Sequence, residues 1–338
     1  PARLPCAPSP PVPPMPFVRI MSRANGGGLQ RDLQLVAAVL AGAGYAVQAV
    51  GFGNEKGVRA LRIAGMRVAA LWRGRPDLQL SLEHVYPQAL GLARRNLLMP
   101  NPEWFRPHYR PQLPRFDALL CKTRHAAAIF AALGCRTRHV GFTSDDRMDS
   151  NVPRERRFLH LAGRSPVKGT EAVLAAWRRH PEWPTLVVVQ NRRNARPGAS
   201  ADNIDHRVGH VADAELRRLQ NACRFHICPS EAEGFGHSLA EALGVGAINI
   251  TTDGEPMNEL VTASHGVLVP PARIGELGLA RRFFVDPEGV EQAVERALRL
   301  DAATVAAMSA GARAAYEALD TGFRQALPQA VAASLPGG

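Results

Sequence analysis

The sequence contains no apolar run as long as the roughly 18–20 residues that a membrane-spanning helix needs, which argues against an integral membrane protein. Its proline-rich start, PARLPCAPSPPVPPMP, also lacks the apolar core of a signal peptide. We therefore expect residues 1–16 to form a flexible or polyproline leader, folded structure to begin near Phe17, and the protein to be cytoplasmic.

Paired cysteines are missing as well. The five cysteines are Cys6, Cys121, Cys135, Cys223 and Cys228, an odd number with no C-x-x-C spacing. A disulfide framework needs an even set, and a zinc site needs closely spaced ligands. The cysteines therefore argue against both.

Lysine is scarce, although the chain is strongly basic. Lys56, Lys122 and Lys168 are the only lysines among 41 basic residues, so arginine supplies most of the positive charge behind the net value of +11. This charge suits anionic partners: nucleotide phosphates, nucleic acid, or the inner face of an anionic membrane with which the protein could associate peripherally. No basic stretch is interleaved with aromatics, which argues against nucleic acid as a partner.

The chain does contain a repeated pairing of a short apolar run with a helix-like run. With 338 residues, 46% of them hydrophobic and 21% charged, it is long enough for two globular domains. Strands that alternate with helices predict parallel sheets with helices on both faces. The predicted strands are FVRIM, YAVQAVGF, RVAALW, LQLSLEHV, NLLMP and FDALLC in the first half, and RFLHLAG, TLVVVQ, FHICPS and AINITT in the second.

The polar stretch SDDRMDSNVPRER predicts a linker between the two halves. We therefore predict an N-terminal Rossmann-like domain over residues 17–150 and a C-terminal Rossmann-like domain over residues 151–310. A helical tail over residues 311–338 could cross back to the N-terminal domain. In such doubly wound domains, ligands bind outside the carboxyl ends of the strands, in the crevice between domains.

One predicted strand end in the second half carries two carboxylates around a glycine-rich loop, EGFGHSLAE. The strand FHIC should end near Pro229, so Glu233 falls in the loop and the next helix begins near His237 or Ser238. The free N–H groups of that helix start suit a phosphate. Ser238 and Glu241 also form the S-x-x-E pattern of a capping box, which would explain Glu241 but not Glu233. Glu241 could serve as both cap and ligand.

Three segments of this half resemble motifs of one enzyme family. SEAEGFGHSLAEALGVGA resembles the E-x7-E signature of retaining GT-B glycosyltransferases of glycosyltransferase family 4. LAGRSPVKG resembles the family's G-R-x-x-x-K-G segment, and TTDGEPMNEL resembles the segment after the signature helix. The resemblance covers most of residues 158–300. It implies a GT-B fold, in which an N-terminal acceptor domain and a C-terminal nucleotide-sugar domain face a central cleft.

The resemblance also implies roles for residues of the second half. Glu233 would contact hydroxyls of the donor sugar as a catalytic residue. Glu241 would hold the ribose hydroxyls, because a carboxylate accepts two strong hydrogen bonds from a diol. Arg164 and Lys168 would bind the donor diphosphate and stabilise its developing charge; otherwise they are a solvated surface pair. The remaining donor-binding residues that the resemblance implies are Gly236, His237 and Ser238, and His237 stands where the family often has an apolar residue.

The first half is more divergent, and its glycine-rich loop fits two interpretations. Gly26, Gly27 and Gly28 follow the first predicted strand. Gly26 and Gly28 fit the first two glycines of a G-x-G-x-x-G pattern, but Arg31 occupies the place of the third. NAD binding is therefore weakly indicated. The resemblance assigns Gly27 and Gly28 to donor binding, and the alternative is a plain turn between a strand and a helix.

Four further residues in predicted loops could bind a substrate or could have only a structural role. The resemblance implies that His84 lies near the donor sugar as a catalytic residue; otherwise it is a loop histidine. Trp104 could stack on the acceptor, with Glu103 beside it, or it could pack the loop. Glu259 could contact the donor or cap a helix.

The sequence thus predicts a retaining glycosyltransferase. It would move a sugar from a nucleotide-diphosphate-sugar to a glycan or glycolipid acceptor in bacterial polysaccharide, lipopolysaccharide or glycolipid synthesis. Asp145–Asp146 falls in the linker and no D-x-D motif lies in a suitable loop, so we expect neither a metal nor another cofactor. The alternatives are a sugar-nucleotide epimerase, a phosphorylase, and a basic protein that binds nucleic acid or a membrane surface on the same scaffold.

Overall fold

The computed structural model describes residues 15–23, 28–53, 55–195 and 201–335. They form two α/β domains, each with a six-stranded parallel sheet, which confirms the predicted fold class. Most of the predicted leader, and Gly27, lie outside the described residues.

The first sheet has the strand order β2-β1-β3-β4-β5-β6. Two 3-10 segments, Pro102–Trp104 and Pro107–Arg115, connect β4 to β5. The elements of this domain are β1 (Phe17–Arg23), α1 (Gly28–Gly42), β2 (Ala46–Phe52), α2 (Lys56–Arg73), β3 (Leu78–Leu82), β4 (Arg95–Met99), β5 (Ala118–Cys121), α3 (Arg124–Ala132) and β6 (Thr137–His139).

The second sheet has the order β12-β11-β10-β7-β8-β9, so the chain reverses its direction of winding between β7 and β10. Such a switch point opens a crevice at the carboxyl ends of the two strands. The elements are β7 (Glu155–Gly163), α4 (Thr170–Arg179), β8 (Leu186–Gln190), β9 (Ile204–Val208), α5 (Asp213–Ala222), β10 (Cys223–Cys228), α6 (His237–Gly244), β11 (Ile248–Thr252), α7 (Met257–Leu260), β12 (Gly266–Val269), the hairpin β13 (Arg273–Leu277) and β14 (Ala280–Phe284), and α8 (Pro287–Leu298).

A long last helix, α9 (Ala302–Ala332), connects the two domains. Asp301 caps its start by accepting a hydrogen bond from the N–H of Thr304 at 2.7 Å. Near its middle, Tyr316 packs on Leu243 of α6, and further along Phe323 packs on Phe142 of the first domain with ring centroids 4.8 Å apart, in a hydrophobic cluster that both domains share. Residue 311, the predicted start of the tail, therefore lies inside one continuous helix.

One predicted strand is wrong. RVAALW, residues 67–72, forms the last part of α2. Ile63 and Met66 are buried three residues apart, as on one face of a helix, and the segment continues that helix without a turn residue. A six-residue apolar window does not distinguish the two structures, because its length suits a strand and part of a helix equally.

The predicted linker is polar but packed. Ser144 and Arg147 are buried, and Arg147 donates hydrogen bonds to the side chain of Gln220 and, at 3.1 Å, to the carbonyl of Asp213. A polar segment tolerates burial when its groups are paired in this way. None of the described helices is both long and apolar enough to cross a bilayer.

Candidate active site

The predicted basic and acidic residues meet at the switch point of the second sheet. Lys168 follows β7 and Glu233 follows β10, so neighbouring strands deliver both side chains to the same edge. The Lys168 ammonium contacts Glu233 Oε1 and lies 3.5 Å from Ser238 Oγ at the start of α6. The two charged side chains are 14% and 13% exposed, so they are largely but not fully shielded from water.

The environment of Lys168 keeps it charged. Burial would lower the pKa of the ammonium, but the charge of Glu233 and the hydrogen bond to it outweigh burial and raise the pKa above its ordinary value. A fixed cation at the start of a helix is a suitable partner for an anionic group entering the cleft.

The capping box predicted for Ser238 and Glu241 does not form. Gly236, with φ of +103°, is the N-cap residue of α6, and no side-chain hydrogen bond caps this helix. The glycine takes a conformation that a residue with a Cβ rarely adopts, and the helix begins two residues earlier than the S-x-x-E pattern, with Ser238 as its N-cap, requires. Ser238 instead faces Lys168.

Glu241 pairs across the domain boundary. One carboxylate oxygen contacts the guanidinium of Arg31 on α1, and the other accepts a hydrogen bond from Gln220 Nε2 at 2.7 Å. Arg31 is 36% exposed, whereas Glu241 is buried. A ribose at Glu241 would therefore share or replace the contact with Arg31.

His237 bridges the two domains through both of its ring nitrogens. Nε2 donates to the carboxylate of Asp32 on α1 at 2.7 Å, and Nδ1 lies 2.6 Å from the hydroxyl of Ser144. Asp32 also pairs with Lys122 at the end of β5. Burial would raise the pKa of Asp32, but the charge of Lys122 and the His237 bond outweigh it and hold the pKa below its usual range.

This network explains why a histidine stands at position 237. The half-buried imidazole packs edge-on against Phe142 and Phe235, and both of its nitrogens have partners. Its role in this structure is to join the helix start of one domain to α1 of the other.

Arg164 lies at a different part of the same edge. It is exposed and lines a cavity of about 490 Å³ whose lining does not include Lys168 or Glu233. Gly163, Gln190 and Gly209, at the ends of β7, β8 and β9, also line this cavity. Its volume and place are those of a small-molecule subsite.

In the first domain, His84 follows β3 next to a strained residue. Glu83 has φ of +60°, in the left-handed region that non-glycine residues rarely occupy, and such strain is concentrated at functional sites. His84 Nδ1 lies 3.2 Å from Glu83 Oε1. Burial, together with the charges of Arg23, Arg106 and Arg59, lowers the pKa of His84 to about 4, so the ring is neutral near pH 7.

The loop of His84 reaches the Glu233 loop through a short chain of contacts. Asn101 Nδ2 donates to Glu83 Oε2 at 2.9 Å, and the Asn101 side chain packs directly on Gly234. Glu103 packs on the same glycine, and its buried Oε2 has no hydrogen-bond partner. Burial, with the nearby charges of Glu233 and Glu83, raises the pKa of Glu103 to about 8.

Of the remaining residues that the sequence predicted for the site, Trp104 lies at the surface, Gly28 begins α1, and Glu259 lies at the interface between the two domains. Trp104 is 48% exposed and free to contact a ligand. Gly28 is the first residue of α1, and no atom lies within 4 Å of the place where a Cβ would be. Glu259 caps a helix of the other domain: its carboxylate accepts hydrogen bonds from the backbone N–H groups of Arg124, at 2.8 Å, and His125, at 2.7 Å.

Sequence reasoning missed Arg31, Asp32, Gln220 and Lys122. Arg31 and Asp32 lie on α1 just after the glycine-rich loop, whose pattern gives neither of them a role. Their partners, Glu241 and His237, are 210 and 205 residues away. Gln220 lies on α5 with no motif around it. Lys122 offered a signal, because it is one of only three lysines and directly follows a predicted strand.

Comparisons with known proteins assign the second domain to a family. Residues 144–297 match the family model described as Glycosyl transferases group 1. The chain therefore carries a domain of this family over those residues. It is also 30% identical over 126 residues to a GDP-mannose:cellobiosyl-diphosphopolyprenol alpha-mannosyltransferase from Xanthomonas oryzae pv. oryzae (strain PXO99A). That alignment covers 34% of this chain and 33% of the relative, and the chain spans about a third of the length of the curated relatives it matches.

Solved structures extend the similarity of fold to both domains. Sucrose-phosphate synthase from Thermosynechococcus elongatus superposes with a TM-score of 0.70 at 16% identity, covering 94% of this chain and 100% of that one. The Anabaena protein HepE, in complex with UDP-glucose, gives a TM-score of 0.70 at 14% identity, covering 94% and 99%. The fold is GT-B.

Proposed function

We propose that the protein is a retaining glycosyltransferase of the family 4 type, which moves a sugar from a nucleotide-diphosphate-sugar to a hydroxyl of a glycan or glycolipid. The observation that carries the proposal is the contact of Lys168 with Glu233 and Ser238 at the switch point of a Glycosyl transferases group 1 domain. There a cation, a carboxylate and a helix start face the same space, which suits a sugar diphosphate.

The donor would lie along the carboxyl ends of the second sheet. Its nucleoside would enter the cavity lined by Arg164, and its diphosphate would meet Lys168 and the start of α6. Glu233 would then turn from Lys168 to the sugar hydroxyls, and Glu241 would exchange its contact with Arg31 for the ribose. In this structure Glu233 pairs with Lys168 and Glu241 pairs with Arg31, and the donor would replace these contacts.

The reaction needs little from the protein besides positioning and charge. The bond between the sugar C1 and the diphosphate oxygen breaks, and a bond forms between C1 and the acceptor oxygen on the same face. The diphosphate oxygen takes the proton of the acceptor hydroxyl. Lys168 and the N–H groups of the helix start stabilise the negative charge on the leaving group more strongly as the bond breaks, which lowers the barrier.

The first domain would hold the acceptor. His84 is neutral near pH 7 and would approach the sugar as a hydrogen-bonding group, and Trp104 presents an exposed ring on which a sugar could stack. The mannosyltransferase relative acts, by its name, on a diphosphopolyprenol-linked acceptor and uses GDP-mannose. We therefore propose a lipid-linked saccharide as the acceptor and GDP-mannose as the first donor to test.

A thermal-shift screen tests donor binding, because a ligand that binds only the folded state raises the melting temperature. GDP-mannose, UDP-glucose and an ADP-sugar are compared, and the best donor is then supplied with a lipid-linked saccharide. NMR of the product gives the anomeric configuration, which should match that of the donor. If no nucleotide sugar shifts the melting temperature while the protein retards nucleic acid in a salt-dependent way, the proposal is wrong and the binding-protein alternative is correct.

A further inference from the structure

Helix α2 presents an apolar face to solvent. Leu61 is 74% exposed, Val68 55%, Leu71 84% and Trp72 86%. Surface helices ordinarily direct their apolar residues to the core and their charges to water. Large side chains exposed in this number on one helix therefore indicate a contact surface.

The exposed apolar side chains form a stripe opposite the buried ones. At 100° per residue, Leu61, Val68 and Trp72 lie within about 40° of one another around the helix axis. Ile63 and Met66, which pack on the first domain, lie about half a turn away from that stripe. The helix thus has two apolar faces, one for the core and one for a partner outside the domain.

The flanks of the stripe are basic. No acidic residue occurs from 56 to 75. At 100° per residue, Arg62 and Arg73 lie roughly 100–120° from Leu61 on one side of the stripe, and Arg67 lies roughly 120° away on the other. Arg59 lies on the buried face, whereas Arg75 follows the end of the helix. Arg62 donates to the carbonyl of Gly51 on one side, and Arg67 donates to that of Gln88, at 3.1 Å, on another. An outward apolar stripe with arginines along its sides matches the boundary of an anionic bilayer, where apolar side chains enter the acyl region and guanidinium groups meet lipid phosphates.

We propose that α2 docks the protein on an anionic membrane surface. A second copy of the chain fits the stripe less well, because the same arginines on both copies would repel across the contact. The opposite, buried face of α2 packs on Tyr86, two residues after His84 in the loop that follows β3. Docking through the outer face of α2 would therefore place the His84 loop one helix diameter, ~10 Å, from the lipid surface.

The test is sedimentation of the full chain with phosphatidylcholine vesicles that contain or lack phosphatidylglycerol, without donor or acceptor. We expect binding only with the anionic lipid and weaker binding as salt is raised. A Leu61→Gln/Trp72→Gln variant and an Arg73→Glu/Arg75→Glu variant should each bind more than about tenfold more weakly. The matched controls, Val208→Gln/Ile274→Gln and Arg178→Glu/Arg299→Glu, change the same number of exposed residues in the second domain and should bind like the wild type.

A second readout reports insertion itself. Trp72 is exposed in water, so its fluorescence should shift to the blue on vesicle binding, and the shift should be lost in Trp72→Phe. Equal binding by the wild type and both α2 variants would overturn the proposal. So would a concentration-dependent dimer in sedimentation velocity that Leu61→Gln/Trp72→Gln abolishes, with no binding to vesicles, because α2 would then join two copies. Neither result depends on the proposed transferase activity, since no donor is present.

Discussion

Gly234 lies directly against Asn101 across the boundary between the two domains. A Cβ at Gly234 would come within 2.6 Å of Asn101 Cγ and 2.7 Å of Glu103 Oε1. Both neighbours are buried, so neither can easily move aside. A glycine at this position therefore lets the loop that carries Glu233 approach the first domain.

Gly234→Ala should disturb this junction. The added methyl group overlaps buried atoms, and we expect the free energy of unfolding to fall by about 1–3 kcal/mol, as for other overpacked sites. Urea unfolding measures the change. Gly322→Ala is the control: this glycine lies in α9 with nothing within 4 Å of a Cβ, so alanine should stabilise the helix by up to about 1 kcal/mol. Equal stability of Gly234→Ala and the wild type would mean that the junction is loose in solution.

Lys168 should matter more for the reaction than for the fold. Lys168→Met removes the cation proposed for the donor diphosphate, and we expect the transfer rate to fall about 100-fold or more. It also leaves Glu233 without its partner, which lowers stability. Adding Glu233→Gln should restore the melting temperature but not the transfer rate, because the double variant has no unpaired charge and no cation. Transfer at the wild-type rate by Lys168→Met would refute the assignment.

The spacing of apolar residues in the sequence predicts most strands and helices correctly, because the residues that face a core are mostly apolar. The buried strand β8, LVVVQ, is a short apolar run, whereas β11, INITT, is apolar only at Ile248 and Ile250, and the helices between the strands follow the 3.6-residue pattern. The pattern failed at α2, whose apolar residues face both the core and solvent. The prediction rested on the six-residue window RVAALW, whose length suits a strand as well as part of a helix.

The sequence predicts the part of the candidate site that lies at strand ends of one domain, but not the contacts made between the two domains. Glu233 and Lys168 lie next to strand ends, and the carboxyl ends of parallel strands share an edge, so their meeting follows from topology. The partners of Glu241 and His237 depend on how two domains dock. Arg31 is 210 residues from Glu241 and Asp32 is 205 from His237, separations over which no local pattern extends.

Glu259 should hold the domains together through α3. Glu259→Gln keeps the shape of the side chain but removes the charge that two N–H groups at the helix start bind, so we expect a loss of about 1 kcal/mol in the free energy of unfolding. The effect should shrink as salt is raised, because Glu259 is exposed. Thermal melts at low and high salt measure both effects. Glu317→Gln changes an exposed glutamate within one helix and should be nearly neutral.

Glu103 should make stability depend on pH. Its pKa is raised to about 8 by burial and by the charges of Glu233 and Glu83, whereas the unfolded value is 4.5. Between these two values the folded protein keeps a proton that the unfolded chain has lost. The free energy of unfolding therefore falls as pH rises through this window, by at most about 4–5 kcal/mol at 1.36 kcal/mol per pH unit.

Glu103→Gln tests this dependence, because glutamine cannot lose a proton and its amide occupies a similar volume. We expect the variant to gain stability relative to the wild type steadily from pH 5 to pH 8, as measured by urea unfolding at each pH. Glu276→Gln, on the exposed part of β13, should keep the pH dependence of the wild type. A constant difference between Glu103→Gln and the wild type across this range would mean that Glu103 is ionised in the folded protein, and that the packing of its carboxyl on Gly234 opens in solution.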